Sequence, residues 1–378
     1  MSITYIPPRV PSVEGFLKED GTVPLTGVWD TGNVLIKGPS AIYTSSTAPS
    51  APYANMLWND TSISTRIMIR RWSGSAWQVV YGYETDSRTI SLVHDHGALL
   101  TSSLIRDAIN EIGTFSAPYV VASVEIENKT LKNLINAAAV DAGSGKVKLP
   151  LASGHGFLAG EIVCIDGTTN YDGIYTIDSV ESGYIVVPAT YASETIPSSA
   201  IVRVVISSTG TTFPPKYIKI NMFAKGFSQT RDQMKSVVLY APGNTPCCYF
   251  VNWAMPSKVQ GIKFVSQNGS SGSGFYIQDS SKIDVEYCAF SRCLYYAACV
   301  NTHSSVSITQ SHFKSCSAGA IAVFNSATIL SSDNESVLPG SYGLYATLGG
   351  TIKKTSAQQP TGTVANEYAN TSKAGQII

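Results

Sequence analysis

Charge is scarce in this chain. Among 378 residues, 26 Lys and Arg balance 26 Asp and Glu, and the formal net charge is zero. No basic cluster stands out, so nothing electrostatic argues for a nucleic-acid partner. Long helical patterns are nearly absent while Tyr, Ser, Thr and Gly abound, which points to a mainly β chain. No apolar stretch is long enough to span a membrane. Met1 to Ile6 runs into Pro7-Pro8 and lacks the basic start and apolar run of a secretory signal, so assembly in a cytoplasm is expected. The seven cysteines are an odd count, which without a signal argues against a disulfide framework. No pair has zinc-site spacing backed by a second pair, and nothing calls for a cofactor.

What is present is a repeat. Ile283, Val306, Ile329 and Ile352 recur at intervals of 23 residues, and Ile262 lies 21 before the first. Two positions after each anchor stand Phe264, Val285, Ile308, Ser331 and Lys354. Residues i and i+2 of a strand share a face, so the first three rungs place an apolar pair inward. A second column agrees in register: Phe275/Ile277, Ala298/Val300, Ile321/Val323 and Leu344/Ala346. A third is shorter, Phe290 with Phe313 and Cys293 with Cys316, the cysteines reading as a stack of small buried side chains. A fixed period in the low twenties with three columns per turn describes a short right-handed parallel β-helix over about 255–355. The columns fail at Ala254/Pro256 and at Lys354.

The rest divides by composition. Residues 1–45 are extended and turn-rich, too poor in apolar periodicity to form their own core. They order against copies of the chain or a larger assembly, or form a flexible tail. Residues 46–97 hold a small β meander with Trp58, Trp72 and Trp77, which serve as its core or as a carbohydrate-stacking surface. Residues 98–134 hold one helix and a connector. Thr101, Ser102 and Ser103 offer N-caps, and Leu104, Ile105, Ala108, Ile109 and Ile112 line a broad face. So short a helix must pack on its own chain or on copies of itself around an axis. Residues 135–206 alternate strand and turn signals, as in a small β-barrel or sandwich. Residues 207–378 carry the β-helix and its C-terminal cap.

Several of these stretches resemble bacteriophage tail fibres and tailspikes. Phe16-Leu17 followed by Asp20-Gly21-Thr22-Val23, then Gly27-Val28-Trp29-Asp30, looks like their anchors. Leu57-Trp58 with Arg71-Trp72, Gly74 and Trp77 is similar to their virion-proximal parts. His155-Gly156-Phe157, Gly160 and Val163, then Gly167-Thr168, Asn170-Tyr171-Asp172-Gly173 and Tyr175, resembles a module inserted in phage fibre and baseplate-associated proteins. There the module serves as a spacer or binding decoration. The 207–378 half resembles the pectin-lyase-like β-helix of tailspikes, a fold that hosts polysaccharide lyases, hydrolases and inert receptor-binding shafts alike. The resemblance implies a virion protein and a homotrimer, with the helix gathering three chains at a junction. The N-terminal part would attach to tail or baseplate proteins and the distal β part would contact bacterial surface polysaccharide.

Few residues are candidates for chemistry. Asp284 and Glu286 flank inward Val285, so both point outward from one strand, about 6–7 Å apart at ~3.3 Å rise per residue, near the spacing of a glycosidase pair. Lys263, read as one coil earlier, would stand beside Asp284 and favour its ionised form; an ordinary solvated pair is the plainer expectation. His94 and His96 share a strand face as i and i+2, and a threefold axis would gather six imidazoles as a metal site. His155, before a glycine, suits a turn hydrogen bond. The expectation is a structural, receptor-binding virion appendage with no catalytic residue. The alternatives are a polysaccharide depolymerase of the same architecture or a collar, head or baseplate decoration.

Overall fold

The computed structural model describes residues 29–30, 35–36, 42–62, 64, 66–117, 119–267 and 272–378. The Phe16 to Val23 anchor motif lies outside them. The chain divides into two compact units, Met1–Tyr83 and Glu84–Ile378.

In the first unit Tyr43–Ser45 runs parallel to Leu57–Asp60, which pairs antiparallel with Arg66–Trp72, and Trp77–Glu84 follows in the sheet. The alternation of Ile67, Met68 and Ile69 buries Met68 completely. Trp77 packs 5.4 Å from both Trp58 and Trp72. Trp58 is buried while Trp72 and Trp77 are part-exposed, so the trio acts chiefly as a core. Buried Asp60 accepts from Arg70 Nε at 2.9 Å, which satisfies a carboxylate too costly to bury alone.

The second unit is a stack of coils that builds three parallel sheets. Sheet A has nine strands, sheet B six and sheet C seven. One coil runs Lys282–Glu286 in A, Ala289–Ser291 in B and Tyr296–Val300 in C, and the next begins at Ser305–Thr309, back in A. Ile283, Val306, Ile329 and Ile352 stand directly over one another in sheet A. Sheet C stacks Phe275, Ala298, Ile321 and Leu344. Phe264, Phe290 and Phe313 form a stacked ladder in sheet B, with centroids 5.3 and 5.0 Å apart. All these side chains are buried in one continuous core.

Ile262 belongs to a different column. It pairs with Val237 in sheet B, and the residue under Ile283 is Ser257. The coil from Ser257 to Ile283 is 26 residues long because the stretch between sheets B and C, residues 267–274, is longer than its counterpart 292–295. A fixed offset therefore lands on the wrong strand. Lys263 moves with Ile262 and is not beside Asp284.

The stack also begins well before residue 207. Arg88–His94 and Val121–Asn128 are the first two strands of sheet A. Thr101 bridges to Ser207 of sheet B, and the helix Ser102–Asn110 takes the place of a sheet C strand in this first coil. Thr101 caps it, accepting from Leu104 N at 3.3 Å. Ile105, Ile109 and Ile112 enter the solenoid core against Thr211–Phe213 and Val121–Asn128, closing an end that would otherwise expose apolar rungs. Its own chain uses the apolar face; of that face only Leu104 remains exposed.

Residues 132–204 interrupt the second coil between sheets A and B. They form two four-stranded antiparallel sheets around Val147, Leu149, Phe157, Val163, Ile165, Tyr171, Ile185 and Val187. A buried ion cluster fastens this module to the solenoid. Asp166 accepts from Lys263 Nζ of sheet B at 2.6 and 2.8 Å and from Arg203 Nη2 at 2.5 Å, all three side chains being almost wholly buried. Burial works against the charge on Asp166, but Lys263 and Arg203 outweigh it and hold its carboxyl below the ordinary carboxylate range.

Asp166→Asn leaves two buried cations without a carboxylate and should cost about 3–5 kcal/mol, read as a lowered urea midpoint. A depressed carboxylate contributes stability above its unfolded pKa of 3.8 that is lost as pH falls through the lower folded value. The variant should therefore lose less stability than the parent below that pH. An unchanged midpoint would show that the cluster contributes nothing net.

Candidate functional site on the outer faces of the solenoid

With the interior filled, recognition chemistry has to sit on the outward positions. Sheet A carries Asp284 and Glu286 there. Above them in register stand Ser307 and Thr309, and below them Lys258 and Gln260. Lys258 reaches diagonally to Glu286 Oε1 at 2.8 Å, and Gln260 Nε2 donates to Glu286 Oε2 at 2.7 Å. Glu286 is thus anchored as a carboxylate acceptor, and Asp284 has no hydrogen-bond partner among the described residues. Partial burial and the charge of Glu286 raise the Asp284 carboxyl above its ordinary value, against the pull of Lys258 and Lys219. This corrects the expectation that a lysine beside Asp284 dominates it. The lysine is Lys258, it bonds Glu286 instead, and desolvation prevails.

The two histidines do not share an outward face. The strand Arg88–His94 ends at His94, and Asp95 bridges back to Ala98, so His96 lies in a turn. His94 is fully buried and its Nδ1 accepts from Leu100 N at 2.9 Å. His96 Nδ1 lies 2.9 and 3.1 Å from the carboxylate oxygens of Glu161 in the inserted module, with the ring edge-on to Phe157. Among the described residues no group of three or more His, Cys, Asp or Glu is arranged to hold a metal ion. His155 is buried, and its Nδ1 accepts from Phe157 N at 3.2 Å.

Sheet C carries what sequence reasoning passed over. Its outward column reads Tyr249, Tyr276, Cys299, Ala322, Tyr345 and Tyr368, in unbroken register. Tyr296 and Tyr342 join from the strand starts. Tyr345 stacks on Tyr368 with centroids 5.3 Å apart and planes 12° from parallel, and Tyr296 lies 5.1 Å from Tyr345. Gly319 makes this possible, since a Cβ there would come within 2.9 Å of the Tyr296 ring. The rings cover Cys299 and Ala322 entirely, although both point away from the core, while Tyr368 stays 39% exposed. The signal was a tyrosine count of 20 and the 23-residue step from Tyr345 to Tyr368. It is easily missed, because two small residues interrupt the column.

Residues 256–359 match the family described as "Right handed beta helix region". No curated protein matches the chain. Among solved structures it is similar to the tailspike protein gp49 from Pseudomonas phage LKA1, at 14% identity over 74% of this chain and 53% of that one, with a TM-score of 0.24. It is also similar to the Pseudomonas phage phi297 tailspike gp61, at 11% identity over 74% of this chain and 62% of that one, with a TM-score of 0.17. The chain therefore spans between about half and two thirds of the length of these structures.

His94 supplies a test of the first coil. Burial drives its ring from 6.5 down to about 4. A depressed histidine contributes stability above its unfolded pKa that is lost as pH falls from 6.5 towards 4, on the order of 3 kcal/mol in full. His94→Gln should flatten the decline of the melting temperature across that window. A parent whose melting temperature stays level from pH 6.5 to 4 would contradict the burial.

Proposed function

We propose that this protein is a structural and receptor-binding virion appendage of the tail-fibre or tailspike type, a homotrimer attached to the particle through its N-terminal part. Its distal β part contacts bacterial surface polysaccharide. The observation that carries this reading is the tyrosine face of sheet C. Tyrosine rings present an apolar plane with a polar tip, which suits stacking against the apolar face of a sugar ring while the hydroxyl bonds at the rim. The seven parallel strands of sheet C give such a surface length without needing a deep pocket. The N-terminal motifs at Trp29–Asp30 and around Trp58, Trp72 and Trp77 support attachment to the particle by their resemblance to virion-proximal segments.

Light scattering should return three times the chain mass of 40.3 kDa. Tyr345→Ser combined with Tyr368→Ser should reduce binding of the purified protein to host cells at least ~fivefold, with the trimer mass and the β-rich circular dichroism unchanged. Loss of about 1–3 kcal/mol of stacking on two rings is enough for that. Undiminished cell binding by the double variant would defeat the assignment.

A specific observation keeps depolymerase activity as a second reading. A raised carboxyl, Asp284, stands two residues from an ion-paired carboxylate, Glu286, the division of labour that glycoside hydrolysis uses for acid and base or nucleophile. If that reading holds, Asp284→Asn abolishes release of reducing sugar from host polysaccharide while cell binding persists. If the parent protein releases none, Asp284 and Glu286 are a surface pair.

A further inference from the structure

Sheet B differs from the other two sheets because the inserted module stands on its outer face. Between them lies a cleft of ≈ 200 Å³, lined by Asn170, Asp172 and Gly173 of the module and by Lys263, Arg292 and Lys314 of the solenoid, among others. Charge does not balance there. Under the cleft, Asp166 answers both Lys263 and Arg203. At its wall, Asp172 Oδ2 accepts from Lys314 Nζ and Gln233 Nε2, each at 2.9 Å. Arg292 has no carboxylate partner among the described residues; its Nη2 donates to the main-chain oxygen of Asp172 at 2.5 Å. The lining thus holds three cations, Lys263, Arg292 and Lys314, against two carboxylates, Asp166 and Asp172, an excess of one positive charge that falls on Arg292 beside a partly enclosed space, where it attracts an anion.

The backbone holds these groups in place. Arg292 occupies the left-handed region at φ 55, at the B-to-C corner that Ser315 and Leu338 repeat in the next two coils, and all three line the cleft. Gly173 leaves room for the guanidinium, since a Cβ there would lie 3.0 Å from Arg292 Nη2. A planar guanidinium beside an ammonium group is matched to a carboxylate, which it can engage with two parallel hydrogen bonds. The space suits one sugar ring. It also adjoins the tyrosine face, because Tyr295, Tyr296 and Tyr342 follow the corner residues Arg292 and Leu338 within four positions.

We propose that this cleft binds the carboxylate of an acidic sugar unit, making a uronic-acid-type polysaccharide the class of polymer that the solenoid contacts. This deepens the reading of the distal part as a polysaccharide-contacting surface and rests on it. The test uses the full-length protein in calorimetric titrations against glucuronic acid, glucose and inorganic phosphate. Glucuronic acid should bind at least tenfold more tightly than either of the others. Arg292→Gln should weaken it at least tenfold while the β-rich circular dichroism is kept, with at most a small fall in melting temperature from the lost hydrogen bond to the Asp172 carbonyl. Lys314→Met should do the same, and if it also unfolds the module, the Arg292 variant alone decides. Equal binding of glucose, binding of phosphate without glucuronic acid, no binding at all, or an Arg292→Gln variant with parental affinity would each overturn the proposal. If host-cell binding is lost in the Tyr345/Tyr368 variant but intact in Arg292→Gln, the cleft proposal fails alone. If neither variant affects it, the polysaccharide reading fails with it.

Discussion

Everything in the larger unit depends on each coil returning to its own starting point one strand spacing higher, about 4.8 Å. Only then do the backbone groups of one coil meet those of the next in parallel ladders. The chain achieves this at its corners. After the sheet A strands, Gly261, Tyr287, Gln310 and Asp333 all have positive φ; after sheet B, Arg292, Ser315 and Leu338 do; after sheet C, Thr302/His303 and Asn325/Ser326 do. A non-glycine residue in the left-handed region costs roughly 1–2 kcal/mol, so a repeated series is tolerated only because each one lets a strand turn into the next sheet. Gly261 is the position with no alternative, since a Cβ there would come within 2.2 Å of the Phe227 side chain. At Gln310 and Asp333 larger residues accept the strain.

Because the constraint is return and not length, the chain between strands is free to vary. Successive sheet A partners Val285, Ile308 and Ser331 lie 23 residues apart, but Met222 and Val259 lie 37 apart and Val124 and Met222 lie 98 apart. The longest of these excursions is an entire module with its own core. An insertion joined only by two chain crossings would swing, so its face against sheet B is stapled by the Asp166 cluster and by the Lys314 and Arg292 contacts to Asp172. Buried ion pairs contribute little net stability compared with apolar packing. Their value here lies in fixing one orientation of the module on the sheet.

This separation decides what could be read from the sequence. The columns through Ile283, Val306, Ile329 and Ile352 and through Phe275 to Leu344 were legible because three coils keep minimal corners and an apolar core tolerates few residue types. The coils at Ile90, Val124 and Met222 follow the same inward rule but are hidden by long excursions, and no fixed period finds them. Ile262 and Lys263 were placed one strand away from their true neighbours for the same reason, which exchanged Lys263 for Lys258 beside Asp284. The helix showed its apolar face but not which surface covers it, since Ile105 and Ile109 fit a coil end as well as a threefold axis. The tyrosine column and the cleft are outward features, and outward positions carry no periodic requirement by which to recognise them.

The three faces have accordingly become chemically distinct while the interior stays uniform. Sheet A presents hydroxyls, lysines and the Asp284/Glu286 pair, sheet B presents cations covered by a module, and sheet C presents stacked rings. A change at an inward position disturbs the coils above and below through the shared core. A change at Tyr345, Arg292 or Asp284 leaves the backbone ladders untouched. The ladder also sets where two outward groups can meet: only side chains about one strand spacing apart across coils, or two residues apart along a strand, lie within reach of one ligand. Tyr345 with Tyr368 satisfies the first condition and Asp284 with Glu286 the second. Arg292 and Lys314 converge by a third route, through the inserted module, whose Asp172 draws side chains from two successive coils to one point. A solenoid that carries an insertion can therefore build a concave, charged site that its own flat faces cannot.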